Sequence, residues 1–167
     1  TPSSISSSSN TYTLGLSLSG TPNGSETITV VPSSSTAIYD AAGNAASTSQ
    51  SNNTVTLNDT TAPTITGTTV ASNNESIAVT FSEAVYNSSG GSGALEASDF
   101  TLTLSGGTAT LASATPSSIS SSSNTYTLGL SLSGTPNGSE TITVVPSSST
   151  AIYDAVGNAA STSQSNN

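Results

Sequence analysis

Every ionised side chain this sequence presents at neutral pH is an acid: Glu26, Asp40, Asp59, Glu75, Glu83, Glu96, Asp99, Glu140 and Asp154. No Lys, Arg or His is present to meet them, and the formal net charge is −9. Two carboxylates about 4 Å apart repel by about 4 kcal/mol at an effective dielectric near 20. Where a fold gathers such groups, a metal ion, backbone N–H groups or a raised pKa must offset the repulsion. Hard oxygen donors without nitrogen or sulfur ligands favour Ca²⁺. The expected cluster is Glu83, Asp99 and Asp154, each at the end of a predicted strand or in a loop. Asp59, in a linker, would complete or bridge it, and Asp40 is the counterpart of Asp154 in a preceding repeat. A second reading of the same residues stays open. Asp in a turn commonly bonds its own backbone two residues on, so Asp154 can simply shape the Tyr153–Asn158 turn. No EF-hand or glycine-aspartate calcium-repeat pattern occurs.

The absent residue types restrict chemistry further. Without His, Cys or Lys there is no imidazole base, no thiol nucleophile and no His/Cys zinc site. Two carboxylates could serve a glycosidase, but Trp is absent and no basic group accompanies them. The sequence therefore reads as a non-enzyme. Nucleic acid is disfavoured as a partner because nothing cationic can meet a phosphate. No apolar run approaches the roughly 20 residues of a membrane helix. Zero Cys excludes disulfides, and zero Lys excludes Lys–Asn isopeptide cross-links.

Six N-x-S/T sequons lie at Asn23, Asn52, Asn58, Asn74, Asn87 and Asn137. They are glycosylation candidates, although an Asn- and Ser-rich chain produces many by chance. The alternating Thr of TYTL, TLTL and TVTL could line an ice- or sugar-binding face. The plainer reading is the high β-propensity of Thr on a half-buried sheet.

These residues are carried by a repeat. Residues 1–53 recur at 115–167 with one difference, Ala42 against Val156, so the spacing is 114 residues. A unit of that size can hold its own core, unlike a short solenoid repeat. A boundary is expected at Asp59–Pro63. Residues 1–59 would be the C-terminal half of one repeat, and 60–167 the next repeat lacking its final strand. The chain is expected to come from the interior of something longer. Strands are predicted at 63–70, at 76–81 with Ile77, Val79 and Phe81 alternating, and at 100–104. A hairpin partner is predicted at 108–113, followed by strands at 125–132, 140–145 and 53–59. Residues 87–93 and 117–124 read as loops or exposed edges, and 149–158 as irregular. Many short strands in about 110 residues fit an all-β Greek-key β-sandwich.

The order DTTAPTI, IAVTFSEAVYN, ALEASDFTLTL, YTLGLSLSGTPNGSETITVV, IYDAVGNAAS resembles bacterial immunoglobulin-like repeats of giant surface adhesins, including the SbsA-like group. The resemblance covers the whole repeat unit. Its most specific pieces are Thr61–Ile65, Phe81–Val85, and the turns Tyr39–Asn44 and Tyr153–Asn158. It implies an immunoglobulin-like sandwich, export to the cell surface, linear tandem arrays, and often calcium at or between repeats. The complete absence of basic residues departs from that pattern.

Two functions follow as expectations. The first is a structural spacer: a stalk or filament of a large secreted surface adhesin, whose partners are neighbouring repeats of the same chain. A variant is a filament of separate subunits joined by strand exchange. The second is a glycan- or surface-binding module acting through avidity, for which Tyr12, Tyr39, Tyr86, Tyr126 and Tyr153 are the only aromatic candidates besides two Phe.

Overall fold

A computed structural model describes residues 1–167. The chain is all-β apart from one 3-10 turn, Ala97–Asp99, and it forms two compact units, Thr1–Thr61 and Ala62–Asn167.

The second unit is a sandwich-like packing of antiparallel strands. One layer is a four-stranded sheet in the order β5 (Ile65–Val70), β6 (Ser76–Phe81), β10 (Thr125–Gly129), β9 (Ile119–Ser122). Facing it are two strand pairs: β12 (Thr141–Pro146) with β7 (Phe100–Ser105), and β11 (Leu132–Ser133) with β8 (Thr110–Leu111). Alternation decides which side chains enter the core. In β6, Ile77, Val79 and Phe81 are buried while Ser76, Ala78 and Thr80 are half-buried. Tyr126 and Leu128 of β10 lie opposite Val79 and Ile77 in the ladder and share their face. Phe100, Leu102 and Val144 enter from the other layer. Phe81, Phe100 and Tyr126 form an aromatic triangle with centroids 5.9–6.3 Å apart, Phe81 and Tyr126 edge to face. The Tyr126 hydroxyl donates to the Val85 carbonyl at 3.2 Å, so the buried ring keeps its polar tip satisfied.

Two expectations are corrected. Residues 108–113 do not form a hairpin with the 100–104 strand. Instead β12 holds the β7 edge through six residue pairs, and β8 pairs with β11. The predicted 125–132 strand divides at Gly129. Beyond that point Leu130 N–H donates to Glu75, and Ser131 accepts from Ala112, so the chain passes from one layer to the other. The Ser-rich segment 117–124 supplies β9, an edge strand closed onto β10 by a turn with Ser123 at φ 51.

The first unit repeats the β9–β10 hairpin from the same residues but pairs its remaining strands differently. β1 (Ile5–Ser8) pairs with β2 (Thr11–Leu14), and β3 (Thr27–Thr29) pairs with β4 (Thr54–Thr56). Its side chains are exposed where their counterparts are buried. Tyr12 is 64% exposed against 8% for Tyr126, and Ile38 is 54% exposed against 0% for Ile152. This unit contains no counterpart of residues 62–114, which supply half of the second unit's core.

Candidate metal centre

Asp154 is the one fully buried acid. It sits in the turn after Tyr153, whose main chain bridges to Tyr86 and to Ala159. Its Oδ1 accepts from the N–H groups of Val156, Gly157 and Asn158 at 2.9, 2.6 and 2.8 Å. Its Oδ2 accepts from Asn158 Nδ2 at 2.7 Å. Gly157, at φ 105, turns the backbone so that these donors converge on one oxygen. Asp154 is thus a turn-shaping carboxylate, whatever else it holds.

Glu83 follows β6, half-buried, and brings a carboxylate oxygen within 4.8 Å of one from Asp154. At that separation two ionised carboxylates repel by about 3 kcal/mol at an effective dielectric near 20. No Lys, Arg or His exists in the chain to offset this. The donor set is hard oxygen only, and Asp154 Oδ2, which accepts from the Asn158 amide, keeps lone-pair capacity toward Glu83. Two such oxygens suit Ca²⁺, which takes 6–8 oxygen ligands and would need others from backbone or water.

Asp99 does not join this pair. It ends the 3-10 turn, where its carboxylate accepts from Glu96 N–H at 2.7 Å and closes a capping box before β7. Asp59, in the first unit, accepts from Thr61 N–H at 2.8 Å. Asp40 reproduces the Asp154 turn: it accepts from Ala42 N–H, Asn44 N–H and Asn44 Nδ2, but it is exposed. The Asn44 side-chain amide, then the Asn44 backbone N–H, hold its carboxyl below the ordinary range.

The acid with the most backbone donors beyond its own turn was not expected to matter. Glu140 Oε1 accepts from Thr108 and Ala109 N–H at 2.9 and 3.1 Å, and its carboxylate also takes Asn137 and Gly138 N–H. Those bonds, led by Ala109 and Thr108, lower its pKa to about 2. Only the Pro136-Asn137-Gly138 turn signal hinted at it. Four of its donors come from two separate segments, and no local pattern shows that.

Among the sequons, Asn23, Asn52, Asn58, Asn74 and Asn137 are exposed and Asn87 is half-buried. Of the tyrosines, Tyr126 is buried and Tyr86 and Tyr153 are half-buried, so in the second unit none stands free as a sugar platform. Comparisons with protein-family models, curated proteins and solved structures find no match.

Proposed function

We propose that the chain is part of a tandem array of immunoglobulin-like repeats that acts as an extracellular spacer, the stalk or filament of a large surface adhesin. The observation that carries this reading is the near-identical recurrence of 1–53 at 115–167. A length element tolerates whole-unit duplication. The second copy packs as half of a sandwich against residues 62–114, so the 114-residue period corresponds to one core. The wholly acidic charge set and the hydroxyl-rich strand faces fit exposure to solvent along an array.

Calcium belongs to the same proposal, bound at Glu83 and Asp154 and stiffening the array. Asp99 is left out of it, since its carboxylate serves the capping box. Export and glycosylation at the exposed sequons are further parts of the reading.

The test is small-angle scattering from arrays of two, four and six 114-residue units, with calcium and with EDTA. At about 3.3 Å per strand residue, a bead spanning about 11 residues is about 35–40 Å long. The maximum dimension should rise linearly by that amount per unit. A compact particle, or growth with the square root of unit number, would rule out a stiff spacer.

A further inference from the structure

The turn between β11 and β12 carries Asn137-Gly138, one of two Asn-Gly steps in the chain, the other being Asn23-Gly24. Glycine has no Cβ to crowd its nitrogen, so in this step the main chain can attack the preceding side-chain amide. Asn137 and Gly138 are exposed, and a Cβ built on Gly138 would meet nothing within 4 Å. Asn23 is exposed too, although residues 54–61 run beside its segment. The Ser139 N–H donates to Asn137 Oδ1 at 3.0 Å, so the Asn137 side chain folds back over the Gly138 peptide. That donor polarises the side-chain carbonyl and faces the oxygen on which negative charge develops during attack.

The attacking nitrogen is held by a carboxylate. Gly138 N–H donates to Glu140 Oε2 at 3.0 Å, and Asn137 N–H reaches the same oxygen at 3.0 Å. Glu140 is itself fixed from outside the turn, where its Oε1 accepts from Ala109 and Thr108 N–H at 3.1 and 2.9 Å. Those bonds lower its pKa to about 2, so at neutral pH it is too weak a base to take the amide proton. Its charge instead opposes loss of that proton, since a nitrogen anion would form 3.0 Å from a charged oxygen. Two unit charges that close, even screened as in bulk water, repel enough for about a tenfold effect on rate.

We propose that Asn137 is a site of spontaneous deamidation, and that Glu140 restrains the reaction by holding the Gly138 N–H. The Gly138 nitrogen loses its proton to hydroxide and forms a bond to Asn137 Cγ. The Cγ–Nδ2 bond then breaks, Nδ2 gains a proton and leaves as ammonia, and a cyclic succinimide remains. Water opens that ring at either carbonyl and leaves an aspartate or an isoaspartate at position 137. Either product adds a carboxylate beside Glu140, and the isoaspartate also lengthens the main chain before Gly138. Both changes work against the grip of Glu140 on the Asn137 and Gly138 N–H groups, so the tie from this turn to Thr108 and Ala109 slackens. Pro-Asn-Gly-Ser-Glu recurs at 22–26, so the 114-residue period carries one such site.

Asn23→Gln in every chain leaves Asn137-Gly138 as the single Asn-Gly step. The full chain is incubated at neutral pH, and conversion at position 137 is read by peptide mass mapping, with isoaspartate read by enzymatic methylation. The folded chain should convert about tenfold more slowly than the same chain in urea, and Glu140→Gln, which keeps an acceptor but not the charge, should remove most of that difference. Ile152→Val loosens the core while leaving the donors of Glu140 in place, and should leave the rate near that of the parent. A second measurement needs no change at Glu140. Hydrogen exchange removes the same Gly138 proton as ring closure, so exchange at Gly138 in the parent should be about tenfold slower than in the unfolded chain. That result decides the matter if Glu140→Gln fails to fold. No conversion in urea would remove the site itself. Equal rates folded and unfolded, a folded Glu140→Gln chain no faster than the parent, an Ile152→Val chain as fast as Glu140→Gln, or unprotected Gly138 would each overturn the restraint.

Discussion

The internal duplication places one residue in two environments within a single molecule. Ile152 is fully buried in the core of the second unit, whereas its counterpart Ile38 is 54% exposed. Both precede the same Tyr-Asp turn and share their flanking sequence, so intrinsic propensity is equal at the two positions. Ile152→Ala removes three carbons from the buried core cluster and leaves a cavity. Such substitutions cost about 2–5 kcal/mol, the range depending on how far the site collapses. At Ile38 no enclosed cavity can form. About half the transfer term is already forgone, so Ile38→Ala should cost below about 1 kcal/mol. The assay is thermal unfolding of the full chain followed by tyrosine fluorescence, in which buried Tyr126 reports on the second unit. Ile152→Ala should lower the melting temperature of that unit by on the order of 10–20 °C. Equal effects of the two substitutions on the Tyr126 transition would refute the packing difference from which the rest is argued.

The acids supply three further predictions. Glu140 has its pKa lowered to about 2 by backbone donors, against an ordinary 4.5. A depressed carboxyl stabilises the fold above the unfolded pKa, and that stability is lost as pH falls from about 4.5 to 2. Glu140→Gln should therefore flatten the acid limb of a stability–pH curve in that window, and an unchanged limb would count against these bonds. Asp154→Ala leaves three part-buried backbone N–H groups and the Asn158 amide without their acceptor, and should cost about 1–3 kcal/mol, more than Asp40→Ala in the exposed copy of the turn. Glu83→Gln should raise the melting temperature in EDTA, because like-charge repulsion with Asp154 is relieved, and should abolish any rise on adding calcium. A calcium response that survives the substitution would place the ion elsewhere.

Strands whose apolar residues alternate were legible from sequence. The order Ile77, Val79, Phe81 leaves one buried face for β6, and the structure has it over those residues. Ile-Ser-Ser-Ser carries no alternation, so 117–124 reads only as a loop or an exposed edge; it is an edge strand because β10 offers a partner and Ser123 accepts a left-handed turn. The partner of β7 was misread for a different reason. A short glycine turn at Gly106-Gly107 suggests a local hairpin, but β8 ladders with β11 instead, and the returning segment bonds to β7 through Leu102 N–H to the Ala114 carbonyl at 2.7 Å, while β12 supplies the six-pair ladder. Register across 40 residues of chain has no local signature. The site shows the same division. Asp154 is identifiable from its Tyr-Asp turn, yet Asp40 has the same neighbours but for Ala42 in place of Val156 and stays exposed. Burial is conferred by residues 62–114, not by the turn's own letters. Asp99 looked equivalent to Glu83 and Asp154 from its place before a strand, but the Glu96 N–H three residues back claims its carboxylate.

Amide hydrogen exchange of the full chain, resolved residue by residue by NMR, compares identical sequences directly. The account predicts that Tyr126 and Leu128 exchange only on global opening of the second unit, with protection orders of magnitude above that of Tyr12 and Leu14. Comparable protection at the two sets would contradict the claim that residues 62–114 complete the fold of the segment that follows them.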